Sequence, residues 1–153
     1  MDARGKKRQV GKRKFTSVHI LLFCVLIPVA GFLYAASAIR IEDAYIRVAA
    51  QGMSSAGYFK ITNSSDTPDT LYAVKANFAK MAQLHESFRK NGMVGMKEIR
   101  FVVIPADSTV TFKPGGYHLM LMNVEYDLKV GMKLHVFLMF RKAGEIGLDI
   151  PVK

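Results

Sequence analysis

In the run Tyr117–Met122, His118, Met120 and Met122 alternate with Tyr117, Leu119 and Leu121. Successive side chains of a strand point to opposite faces, so one imidazole and two thioethers share a face, and the tyrosine and leucines share the other. Upstream, Met81, Gln83, His85 and Ser87 fall on one face of a second run. Ala82, Leu84, Glu86 and Phe88 fall on its other face. Met93 and Met96 follow an Asn91-Gly92 pair. Imidazole with thioether and no thiolate is a soft-to-borderline donor set that suits Cu(I) and suits zinc or hard cations poorly. The competing reading is structural. Methionine is an adaptable filler of strand cores, and a lone histidine is more often packed or solvated than ligating.

Strands must position these groups, and the pattern supplies them. Short alternating runs are separated by turn signals such as Asn91-Gly92, Pro105-Ala106-Asp107, Pro114-Gly115-Gly116 and Lys142-Ala143-Gly144. Many short strands with turn signals every 8–12 residues predict an all-β sandwich or barrel. Asn91-Gly92 predicts a tight hairpin. Pro114-Gly115 predicts a type II turn that launches the strand bearing His118. Glu98–Ile104 reads as one strand, and no long segment has helical periodicity.

The chain carries 22 Lys and Arg against 12 Asp and Glu. Residues 1–38 hold seven of the basic residues and one acid, so the remainder is only +4. The basic balance belongs mostly to the N-terminus and does not favour nucleic-acid binding. A basic flank precedes an apolar stretch, Ile20–Ala38, that ends in Ala36-Ser37-Ala38. This is the pattern of an export signal cleaved after Ala38. Its 19 residues would also serve as an uncleaved membrane anchor. Either way residues 39–153 form the exported domain, in the periplasm or tethered to the inner membrane on that side. Cys24 is the only cysteine, and the preceding residue, Phe23, is not the small residue that a lipid-anchored cysteine requires. With no thiol, residues 39–153 exclude disulfides, iron–sulfur ligation, thiol redox chemistry and a cysteine-ligated blue-copper site.

The spacing of the candidates carries a resemblance. His85, ten residues, Met96, 21 residues, then His118-Leu119-Met120 is similar to the His-x10-Met-x21-His-x-Met signature of the PCu(A)C family of periplasmic copper chaperones. Blocks at Ala56–Val74, Leu84–Ile99 and Ile104–Met122 resemble the family around that signature, and the likeness runs from about Ile41 to Val152. It implies a cupredoxin-like Greek-key sandwich, a monomer, and one copper held by His85, Met96, His118 and Met120. The ion is Cu(I), with Cu(II) as the alternative oxidation state. It further implies delivery to the dinuclear copper site of cytochrome c oxidase, through its subunit II or an assembly factor. Family members often carry a methionine one or two places after the first histidine. Glu86 and Ser87 stand there in this chain, which leaves Met93 as the candidate auxiliary ligand.

Other residues read as structural: Met122 as packing beside the site, Met81 as packing, and His135 as a histidine outside the spacing. His19 belongs to the export segment. Met96, just after the Asn91-Gly92 turn, is expected as a turn ligand that can be released without opening the core. No serine–histidine–acid set, carboxylate pair or phosphate loop points to an enzyme. A copper-tolerance or storage protein, and a metal-free exported interaction module, are the alternative functions. Cleavage after Ala38 would give a mature chain beginning at Ile39. Intact-mass measurement of the exported protein checks this, and a full-length species in the membrane fraction would establish the anchor instead.

Overall fold

A computed structural model of the protein describes residues 38–153. The expected export segment, with Cys24, His19 and all of the Ala36-Ser37-Ala38 motif except Ala38, lies outside them. The described residues form ten strands and no helix. Six make one sheet, in the order β1 (Ile39–Ile46), β2 (Ser55–Asn63), β7 (Ser108–Phe112), β8 (Tyr117–Val124), β4 (Ala79–Lys90), β5 (Met93–Glu98). Four make the other: β10 (Gly144–Pro151), β9 (Lys133–Phe140), β3 (Asp69–Ala76), β6 (Val102–Ile104).

The core lies between the sheets, and period-2 alternation decides who enters it. Phe59, Ile61, Leu84, Phe112, Leu119 and Leu121 come from the six-stranded sheet. Leu71, Val74, Ile104, Val136, Leu138 and Phe140 come from the other. Phe59 and Phe112 stack at 4.5 Å between centroids. Burying each such leucine or phenylalanine contributes about 1.5–3 kcal/mol. The β4–β8 register fixes which face is which. It sets Leu84 opposite Leu119 and Ala82 opposite Leu121 on the core side, with His85 opposite His118 on the outer side.

Both expected turns form, for the expected reasons. Asn91 and Gly92 have φ of 51° and 77°, the double positive φ of a type I′ hairpin, and Lys90 pairs with Met93 across them. Gly115 has φ of 80°, and the Gly116 amide donates to the Lys113 carbonyl at 3.0 Å, as in a type II turn. This second turn does not reverse the chain. β7 and β8 both run antiparallel to β2, along successive parts of it. The turn is a jog between two collinear strands.

The expected single strand Glu98–Ile104 is instead two. β5 ends at Glu98 in one sheet and β6 begins at Val102 in the other. Ile99–Phe101 is the crossing between layers, and it holds no glycine, proline or other turn residue to mark it. On the hairpin, the Phe88 ring lies over Gly95, where an added Cβ would come within 2.6 Å of the ring. Glycine at 95 therefore lets the ring cover the face of the β4–β5 hairpin opposite Met96.

Two buried polar side chains tie loops to this frame. Asn63 donates to the carbonyls of Thr67, Ile104 and Pro105 and accepts from Ser65. Asp69 accepts from the backbone amides of Thr70, Lys142 and Ala143 at 2.6–2.9 Å. Burial alone would raise the Asp69 carboxyl, but these amides outweigh it and hold it below the ordinary value of 3.8. A depressed carboxyl stabilises the fold above its unfolded value, and that contribution is lost as pH falls through the folded value. Asp69→Asn should lower the unfolding free energy at neutral pH by about 1–3 kcal/mol. Urea denaturation should show the gap to the parent narrowing as pH falls below about 4.

Candidate metal centre

Antiparallel partners lie on the same face of a sheet, so the ladder positions can be read directly. His85 on β4 pairs with His118 on β8, and Gln83 pairs with Met120. On the other side of β4, Ser87 pairs with Met96 on β5. The four expected residues His85, Met96, His118 and Met120 therefore share the outer face of the six-stranded sheet, on three adjacent strands. They lie outside the core between the sheets. The imidazole centroids are 5.8 Å apart, with planes at 55°. A metal-bound imidazole nitrogen sits about 2 Å from its ion, so one ion shared by two rings is compatible with this separation.

The hydrogen bonds of the two rings carry the chemistry. His118 is 3% exposed, and its Nδ1 lies 3.1 Å from the Gly116 carbonyl. A carbonyl can only accept, so Nδ1 carries the proton and Nε2 holds the lone pair of the neutral ring. His85 Nε2 lies 3.1 Å from Gln83 Oε1. Donation to that oxygen leaves the lone pair on Nδ1. Among the described residues, His85 Nδ1 and His118 Nε2 are the buried side-chain polar atoms that lack a hydrogen-bond partner. Native structures rarely leave such atoms unpaired, because each costs about 1–3 kcal/mol. Two rings that each donate to an oxygen and keep the opposite lone pair free match the way metal-binding histidines are oriented.

Burial disfavours the charged form of one ring. Burial first, and the neighbouring His118 second, lower the His85 pKa from 6.5, with Glu98 opposing them. Tyr58, buried on the same face, lies 6.4 Å from His118 between ring centroids. His118, Met96 and Met120 line an open cleft of about 330 Å³ together with Arg47, Ser55, Tyr58 and Ser87. His85 does not form part of its wall. No group of three His, Cys, Asp or Glu side chains suited to a metal exists among the described residues. A metal bound by protein side chains on this face would therefore draw on thioethers, and donor type then favours Cu(I).

Met96 does not sit on a turn, as its place after Asn91-Gly92 suggested. It lies within edge strand β5 and is 58% exposed. The regular ladder from Lys90–Met93 to Ser87–Met96 puts Met93 and Met96 on opposite faces, so Met93 is turned away from the histidines. Met122 pairs with Met81, two positions beyond the Gln83–Met120 pair on the same face. His135 is on the other sheet, paired with Asp149 at 2.7 Å and edge-on to Phe137. Two orienting groups were missed. Gln83 was legible in principle, two residues before His85 on its face. The Gly116 carbonyl, which also accepts from the Ser87 amide at 3.1 Å, belongs to the backbone and leaves no side-chain signal.

The β-sandwich is the fold of PCuAC domains of known structure. The copper-bound PCuAC domain from PmoF2 is 30% identical, with a TM-score of 0.65, over 78% of this chain and 96% of that one. The Cu(I) form of DR1885 from Deinococcus radiodurans is also 30% identical, with a TM-score of 0.59, over 78% of this chain and 83% of that one. The family model described as putative lipoprotein LpqE-like matches residues 39–152, and the chain belongs to that PCuAC-like family. A relative, the putative lipoprotein Lxx21020 of Leifsonia xyli subsp. xyli (strain CTCB07), is 32% identical over 119 residues, covering 77% of this chain and 71% of its own.

Heteronuclear NMR of the metal-free protein should find His118 as the Nδ1–H tautomer and His85 as the Nε2–H tautomer. The His85 ring should titrate below 6.5. An unfolded chain takes up that proton first, so stability should be complete above about 6.5 and fall as pH drops towards the lowered folded value. A His85 ring titrating above 6.5 would contradict this.

Proposed function

We propose that the protein is an exported copper chaperone whose His85, Met96, His118 and Met120 hold one Cu(I). The observation that carries this reading is the pair of buried, unpartnered imidazole lone pairs, His85 Nδ1 and His118 Nε2, on a face shared with two thioethers. A closely held but neutral donor set suits a carrier. Met96 is exposed on an edge strand, so it can leave the ion while the core stays closed. The mostly open cleft beside His118 and Met120 gives an acceptor's ligands access. The copper-bound relatives support Cu(I) as cargo. Lipoprotein descriptions among the relatives support export.

The recipient is a copper-receiving protein, with subunit II of cytochrome c oxidase or its assembly factor as the specific proposal. The domain, residues 39–153, acts as a monomer in the periplasm, free after cleavage or held at the inner membrane by residues 1–38. Transfer needs only ligand exchange, without catalysis.

Anaerobic Cu(I) titration of the full chain against a competing chelator tests the site. One equivalent should bind. His85→Ala and His118→Ala should each weaken it at least about tenfold, a loss of about 1.4 kcal/mol. Met96→Leu and Met120→Leu should weaken it with the fold intact, since the two side chains are close in volume. His135→Ala should change nothing. Protons compete for imidazole lone pairs, and the depressed His85 value should delay the acid loss of affinity to below about pH 6.5. Unchanged binding in all four ligand variants would overturn the proposal.

A further inference from the structure

The outer face of β4 and β8 does not end with the four candidate ligands. Met81 and Met122 form a direct cross-strand pair on it, which brings their Cβ atoms about 5 Å apart. The Gln83–Met120 pair separates them from the His85–His118 pair, and each step of two residues spans about 7 Å. Met120 thus stands midway between two rows of metal-binding side chains. Core packing does not account for the pair. Ala82, Leu119 and Leu121 face the core from these strands, while Met81 is 51% exposed on the outer sheet face.

We propose that Met81 and Met122, with Met120 as a shared third donor, form a second, weaker thioether site for Cu(I), through which the ion enters or leaves the histidine site. Three neutral thioethers select a soft monovalent cation and lack the imidazoles that would make the site tight. Met is unbranched with three rotatable bonds, so Met120 can turn to either row. Passing the ion along replaces imidazole nitrogen by thioether sulfur one ligand at a time. Copper stays Cu(I), and no electron or proton moves between protein groups. The relay rests on the copper reading of the histidine site, although the thioether site itself does not.

The test is anaerobic Cu(I) titration of the full chain with ¹³C-labelled methionine methyls and ¹⁵N-labelled histidines, followed by NMR. The first equivalent should move the Met96 and Met120 methyls and both imidazoles. Copper beyond it should move Met81 and Met122. The double variant Met81→Leu, Met122→Leu should lose the second uptake by at least about tenfold and keep the first, because leucine retains the volume without the sulfur. Uptake of the second equivalent unchanged in that variant, or no response of the two methyls, overturns the thioether site and leaves the histidine site standing. Early response of Met81 and Met122 with silent imidazoles overturns the histidine site instead and leaves the thioether site. If no methyl responds, both fall.

Discussion

The register between β4 and β8 places His85 against His118 on one face of the sheet and Leu84 against Leu119 on the other. A slip of one residue would turn the leucines outward and push the imidazoles towards the core. The same ladder therefore serves packing and chemistry together. Leu84, Leu119 and Leu121 are essentially fully buried, and their removal from water pins the register more strongly than any hydrogen bond on the outer face does. The proposed metal-binding face is, in energetic terms, the reverse side of the hydrophobic core.

This arrangement leaves a local cost. Each ring is fixed by an oxygen acceptor, the Gly116 carbonyl for His118 and the Gln83 amide for His85, and each is left with a buried lone pair facing no donor. Such unpaired groups are found in folded proteins where function requires them. The surrounding sandwich is stable enough to hold them, through its two-layer core and the Asn63 and Asp69 loop anchors. A cation that accepts both lone pairs would remove the cost, so binding and stability are linked.

Much of this was legible in the sequence because strand alternation is a strong signal. The sharing of a face by His118 and Met120 follows from that alternation, and the hairpin at Asn91-Gly92 and the turn at Pro114-Gly115 follow from residue types with distinctive φ preferences. Other features depend on pairings that a single strand does not specify. That Met96 lies on a strand, with its side chain on the His85 face, depends on the Ser87–Met96 partnership. The crossing at Ile99–Phe101 holds no glycine, proline or other turn residue that would mark it. The Gly116 carbonyl that fixes the His118 tautomer is a backbone group present in any residue. Long-range register, layer exchange and main-chain acceptors are where local reasoning stops.

The central claim is that one ion is shared by imidazoles and thioethers on a single sheet face. X-ray absorption at the copper edge of the full chain loaded with one equivalent of Cu(I) tests it most directly. The account predicts a mixed shell with both imidazole nitrogen and thioether sulfur, and loss of the nitrogen scattering in the double variant His85→Ala, His118→Ala. A shell of sulfur alone, or of nitrogen and oxygen without sulfur, would contradict it.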